Sequence, residues 1–235
     1  MTNKTIEKPI VRLDFNKPHI TYKNSLEQKI VGVTTALGKL DKPALVGWAY
    51  NKGLAGENLY EKDESANVGT ITHARIMGYF LEYEIDRYNI SQEAWDWSEN
   101  SMKSFYAIVK GKIIKPILIE TPLVSEMYQY GGTLDLLAKI DGLIELWDFK
   151  TGTGIYDTNI YQLAALRQLV IENGFEEPER IVPVNIPKCD DDSFAIQNKP
   201  ANNLDRQFQI FLKLKDIYYL QKDIKQSMKG KKVCQ

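Results

Sequence analysis

What this chain is short of narrows it first. Two cysteines, Cys189 and Cys234, in 235 residues cannot build a disulfide framework, a cysteine-rich zinc site or the four-thiolate ligation of an iron–sulfur cluster, and both read as free thiols. No apolar run approaches the roughly 20 residues that span a bilayer, which excludes a membrane-embedded chain. Met1 to Lys8 are polar and lack the apolar segment of a secretory signal, so the expected location is cytoplasmic. Neither charge is in excess: 30 Lys+Arg against 31 Asp+Glu give a formal net charge of -1. No global positive field therefore advertises a nucleic-acid partner, and any phosphate contact must be local. Internal repeats and low-complexity tracts are absent as well.

What remains is a globular composition, 43% hydrophobic and 26% charged, on a chain long enough for one well-filled core. The expected organisation is a single domain over 1–235, with a hairpin and helical part at 1–112, a sheet and helix at 113–200, and a C-terminal helix at 201–235. Two β-like runs, Ile10 to Phe15 and His19 to Val31, flank Asn16-Lys17-Pro18 and predict an N-terminal β-hairpin. Helical patterning follows at Thr34 to Leu40, Pro43 to Lys52, Ser65 to Tyr88 and Gln92 to Val109. Strands are predicted at Ile117 to Ser125, Tyr128 to Ile140 and Leu143 to Thr151, the last two joined by Asp141-Gly142. A helix from Asp157 to Asn173 ends at Gly174, strands follow at Arg180 to Ile186 and Ser193 to Gln197, and a helix from Asn203 to Met228 closes the chain. This order predicts an α/β fold, a central mixed β-sheet covered by helices.

One hairpin turns spacing into chemistry. If Asp141 and Gly142 are the central residues of a type I′ turn, Ile140 faces Leu143, and stepping back along both strands brings Asp135 opposite Asp148. Opposed like charges destabilise a sheet unless something compensates them, and a divalent cation would. Alternation places Lys150 on the same face as Asp148 and turns the Phe149 side chain to the other. Leu137, Ile144 and Leu146 are assigned to the face of the triad, and Leu134, Leu136, Trp147 and Phe149 to the opposite one, so both faces are covered. Buried carboxylates need pairing or a metal, and hard oxygen ligands select Mg²⁺ or Mn²⁺. The plainer alternative is a cross-strand Asp–Lys salt bridge with a second Asp at the sheet edge.

Four elements in order then resemble the RecB-like branch of the PD-(D/E)XK nuclease superfamily, and within it phage-encoded exonucleases. They are Gly69-Thr70-Ile71-Thr72-His73, Tyr130-Gly131-Gly132-Thr133-Leu134-Asp135, Asp148-Phe149-Lys150-Thr151-Gly152 and Tyr161-Gln162-Leu163-Ala164-Ala165-Leu166. They span Val68 to Val170 and follow that branch's order of helix-borne His, G-x-x-D, D-x-K-T and Q-x-x-x-Y. Leu166 stands where the last pattern has an aromatic residue, with Tyr161 beside the glutamine.

The resemblance implies a restriction-endonuclease-like core and a Mg²⁺- or Mn²⁺-dependent deoxyribonuclease, an exonuclease acting on linear duplex ends or single strands of DNA. It implies Asp135, Asp148 and Lys150 as catalytic residues. His73, Asp135, Asp148 and the main-chain carbonyl of Phe149 would be metal ligands. Glu120 could reach the same site as a further ligand or face solvent at a sheet edge. Gln162, Tyr161 and Thr151 are the substrate-binding candidates, although Thr151-Gly152-Thr153-Gly154 also reads as a simple turn from strand to helix. Lacking the cysteines, the chain is expected to hold no iron–sulfur cluster. The lysines of the last helix, among them Lys213, Lys215, Lys222 and Lys225, form either a solvated face or a DNA path. Implied partners are DNA and a recombination or replication protein, in the host cytoplasm for a phage-encoded enzyme. The alternatives are a non-catalytic DNA-binding or assembly module retaining the fold, and a metal-stabilised domain with no nucleic-acid role.

Overall fold

A computed structural model describes residues 8–15, 20–40, 43–56, 64–189 and 194–230. In chain order they form β1 (Ile10–Arg12), β2 (Val31–Gly32), α1 (Val33–Leu37), α2 (Pro43–Leu54), α3 (Glu64–Leu81), β3 (Glu84–Asp86), α4 (Gln92–Val109), β4 (Ile114–Ser125), β5 (Tyr130–Ile140), β6 (Leu143–Lys150), α5 (Asp157–Glu172), β7 (Arg180–Asn185), β8 (Ala195–Ile196), β9 (Lys199–Pro200) and α6 (Asp205–Gly230).

Asp141 and Gly142 both have positive φ, 50° and 99°, as a two-residue I′ turn requires. The turn sets the register of β5 on β6, from Ile140↔Leu143 to Leu136↔Trp147. β4 runs antiparallel to β5 along its whole length. β6 runs parallel to β7, and β2 pairs in parallel with the start of β5 at Val31↔Tyr130 and Gly32↔Gly131. The chain is thus a mixed α/β protein whose central mixed sheet has helices on both faces.

On one face α1, α5 and α6 pack Leu37, Leu163, Leu166, Leu169 and Phe211 onto Leu137, Ile144 and Leu146. On the other, Ile76 of α3 and Met102 and Phe105 of α4 cover Leu136, Trp147, Phe149, Val182 and Val184. Truncating one such leucine to alanine costs about 2–5 kcal/mol. The two layers clamp β5 and β6, and the end of that hairpin carries the acidic residues.

Three departures from the sequence expectations have physical causes. Among the described residues the N-terminal runs do not pair with each other. β1 lies parallel to β3, Ile10↔Glu84 to Arg12↔Asp86, locked by Arg12 on Asp86 at 2.9 Å. The hairpin-like turn falls within 22–30 instead, where Lys23 bridges Lys29 and the Asn24 side chain accepts the N–H groups of Leu26 and Gln28. The turn expected at Asn16-Lys17-Pro18 lies outside the described residues. The helix expected to reach Tyr88 ends at Leu81, because Glu82 takes φ +58° and the Tyr83 N–H returns to the Gly78 carbonyl. That stop carries no glycine at the positive φ to announce it. Finally, Leu134 joins Leu137 on the α5 side rather than Leu136, Trp147 and Phe149. Strict alternation breaks at Asp135, opposite Glu120 of β4, whose φ of +43° interrupts the neighbouring strand.

Candidate active site

The β5–β6 ladder stops at Leu136↔Trp147, one step before Asp135 and Asp148. Beyond that pair the backbone of β6 needs another acceptor, and the Asp135 side chain provides it. Its Oδ2 accepts the Phe149 N–H at 2.7 Å. Phe149 buries its ring in the core against Phe105 and Trp147, which leaves its two main-chain groups facing the site.

His73 enters from α3. The helix is seated by Val68, Ile71 and Ile76, all buried, and Gly69 faces Thr151 at the end of β6, where a Cβ would make an ordinary contact of 3.6 Å with Thr151 Oγ1. The imidazole Nε2 lies 3.1 Å from the Phe149 carbonyl oxygen, and Nδ1 lies 3.2 Å from Glu120 Oε1 and 3.6 Å from Asp135 Oδ1. Both ring nitrogens therefore face acceptors, an arrangement that favours the doubly protonated ring. Burial alone would lower the pKa of His73; the charge of Asp135 and the hydrogen bond and charge of Glu120 outweigh it and raise the pKa to about 9. Burial also raises Asp135 above the usual carboxylate range, opposed by the charges of His73 and Lys150.

Beside this group Asp148 is enclosed, its side chain 1% exposed. Its Oδ1 accepts from Lys150 Nζ at 3.0 Å and from Gln162 Nε2 of α5 at 2.9 Å. Its Oδ2 lies 2.7 Å from Nζ but outside hydrogen-bonding geometry. Burial lifts Asp148 to about 6 against the pull of Lys150, with Asp135 adding to the rise. Burial would lower Lys150, but the charges of Asp148 and Asp135 raise its pKa, so the ammonium keeps its proton.

The sequence candidates thus fall into two adjoining sets. His73, Glu120 and Asp135 bring one ligand atom each within 4.8 Å of one another, with the Phe149 carbonyl against the imidazole. Asp148, Lys150 and Gln162 form the second set. Thr151 is half-buried where α3 passes the end of β6. Tyr161 is partly buried and packs against the core on the α5 side of the sheet. Leu166 is buried over Gly132, where a Cβ would come within 2.8 Å of it.

The donor set suits a hard divalent cation: carboxylates, a carbonyl and one imidazole, with a buried Asp148 oxygen to which no hydrogen bond is directed. His73, Glu120, Asp135 and the Phe149 carbonyl would hold it, with Asp148 adjoining. His73 can ligate only after giving up a ring proton, because the imidazolium that its neighbouring acceptors favour has no lone pair for a cation.

Residues that no motif singled out complete the surroundings. The Tyr22 hydroxyl meets Thr133 Oγ1 at 2.9 Å, and its ring lies so close to Gly131 that a Cβ there would stand 2.3 Å away. Asn185 of β7 donates to the Lys150 carbonyl at 3.1 Å and the Gly152 carbonyl at 2.6 Å, fixing the exit of β6. Tyr83 is raised by burial and then by the charge of Glu120. None of the three belongs to a motif: Tyr22 is distant in sequence, Tyr83 lies just past the stop of α3, and the burial of Asn185 shows only in the fold.

No protein-family model and no curated protein matches the chain. Among solved structures it is similar to the crystal structure of a "Putative exonuclease" from Eubacterium rectale, with 14% identity, coverage of 70% of this chain and 72% of that one, and a TM-score of 0.45.

Proposed function

We propose that the chain is a Mg²⁺- or Mn²⁺-dependent deoxyribonuclease of the RecB-like PD-(D/E)XK kind, an exonuclease cutting phosphodiester bonds at DNA ends or in single strands. The observation that carries this reading is the convergence of His73, Glu120 and Asp135 within 4.8 Å, next to a buried Asp148–Lys150 pair. A bound divalent ion would supply Lewis-acid polarisation of a phosphoryl oxygen and a lowered pKa for water. Around it the chain provides the rest. Lys150 holds a fixed positive charge where negative charge develops on the scissile phosphate. Gln162 and Lys150 hold the Asp148 carboxylate in one orientation, and the Phe149 N–H does the same for Asp135. Core packing of the Phe149 ring keeps its carbonyl aimed at His73. Such an enzyme fits recombination, repair or phage DNA processing, with a recombination or replication protein as a partner.

The test is digestion of labelled linear, circular and single-stranded DNA with Mg²⁺, Mn²⁺ or EDTA, by the native chain and by Asp148→Ala and Lys150→Ala. Metal-dependent loss of linear and single-stranded substrate, with circular duplex intact and both variants inert, is the expected result. Binding without cutting under every metal would leave a DNA-binding module instead.

A further inference from the structure

A cleft of about 600 Å³ reaches the acidic centre at Glu120. Thr133, residues of the 20–22 and 29–35 segments, and Tyr218, Tyr219 and Lys222 of α6 also line it. A second depression adjoins it, sharing Tyr218 and Lys222 and adding Lys39 and Lys225. Together they make one trough from Glu120 to the surface of α6.

Its lining has the two components that unpaired nucleic acid needs, lysines and tyrosine rings, with Lys39 Nζ over the Tyr218 ring at 5.5 Å and Lys222 Nζ over the Tyr219 ring at 6.0 Å. Lys29, Lys222 and Lys225 are exposed, and none has a carboxylate within ion-pairing distance among the described residues. On α6, Tyr218, Lys222 and Lys225 share a face by their spacing. Lys215, by contrast, is spent on structure, donating to the Tyr128 carbonyl at 2.8 Å. Tyr22 contributes a half-buried ring whose hydroxyl is held by Thr133. In a chain with a formal net charge of -1, this local concentration of lysine is the feature that the overall charge hides.

We infer that this trough is the path of a single, unpaired nucleic-acid strand running from Lys225 and Lys222 past Lys29 and Tyr22 to the scissile position at Asp135. The inference rests on the nuclease reading for its direction and adds the strand type and the residues that hold it. Tyrosine rings set beside lysines are the recognition chemistry of unpaired bases, whose faces a duplex keeps stacked on one another.

The test is anisotropy of a labelled oligothymidylate in EDTA over a range of KCl concentrations, with the native chain, Lys29→Gln/Lys222→Gln, Lys222→Gln alone, and Lys110→Gln/Lys139→Gln as an exposed control away from the trough. Each lysine removed from the path should reduce the slope of log affinity against log salt by about 0.7. The control should match the native chain, and a duplex of equal length should bind more weakly with a slope that the trough variants leave unchanged. Unchanged slopes in both trough variants would overturn the path, as would a duplex that loses as much as the single strand. Binding is read without metal, so the two proposals fail separately. If the native chain cuts DNA while the slope is unchanged, the path is wrong and the nuclease stands. If the slope shrinks while nothing is cut under any metal, the path stands and the nuclease reading falls.

Discussion

Asp135 and Phe149 are joined by a hydrogen bond from main chain to carboxylate, 2.7 Å long, at the place where β5 and β6 stop pairing. The same carboxylate that would hold a cation also finishes the hydrogen bonding of the neighbouring strand. Removing it has two separable effects. In EDTA, Asp135→Ala leaves a poorly solvated N–H without an acceptor and should lose about 1–3 kcal/mol in urea unfolding. Asp135→Asn keeps an acceptor oxygen and should lose less than half of that, while both variants fail to cut DNA.

The pH dependence of the metal-free protein should carry the signature of His73. Its folded pKa of about 9 lies above the ordinary 6.5, so the folded state binds the extra proton more tightly than the unfolded chain does. That stabilisation is complete below pH 6.5 and disappears as pH rises through 9. The melting temperature in EDTA should therefore fall across this window, and His73→Gln should flatten the fall. Apparent Mn²⁺ affinity, measured by calorimetry, should rise over the same interval as the proton leaves.

Lys150 neutralises a carboxylate that has almost no access to water. Lys150→Met should abolish cleavage and cost about 3 kcal/mol at neutral pH, the lower end for breaking a buried pair, because the Lys150 side chain is itself 27% exposed. Adding Asp148→Asn should restore most of that stability without restoring activity, which urea unfolding and the cleavage assay together can read.

Glu120 occupies a left-handed backbone conformation inside a strand, φ +43°. An L-residue there is strained by about 1 kcal/mol relative to glycine. Glu120→Gly should therefore be more stable than Glu120→Ala by about that amount, the reverse of the usual order in a strand. Both should bind Mn²⁺ more weakly than the native chain. An Ala variant as stable as the Gly variant would remove the strain argument.

Gly131 admits the Tyr22 ring. Gly131→Ala should destabilise by about 1–3 kcal/mol through overpacking. Combining it with Tyr22→Ala should cost less than the sum of the two single changes, since removing the ring relieves the clash.

The hairpin that organises this centre was legible because Asp-Gly fixes both turn and register, and because the apolar runs around it are long. The α5 and α6 helices were legible for the same reason, having continuous periodic patterns and, for α5, a glycine after its end. What escaped reading depends on contacts between residues far apart in sequence. β1 pairs with β3 across more than seventy positions, and three residues of strand after a glycine-free helix stop give no local signal. At the site, the spacing told that Asp135, Asp148 and Lys150 would gather, but alternation could not tell which partner each would take. The division into a His73–Glu120–Asp135 group and an Asp148–Lys150–Gln162 group follows from the splaying of two strands and from one irregular residue in a third. Glu120, left open between ligand and solvent edge by its flanking residues, is brought inward by that irregularity.

The parallel pairing of Val31 and Gly32 with Tyr130 and Gly131 has a consequence for the order of assembly. The β5–β6 hairpin closes through a two-residue turn, whereas the wall of the trough must find a partner a hundred residues downstream, and loop closure over that distance is slow. During synthesis the early segment has no edge to dock on until residue 130 has emerged. A chain stopped short of α6 would thus possess the carboxylates and the Tyr22 and Lys29 side of the trough but lack the wall that Tyr218, Tyr219 and Lys222 supply.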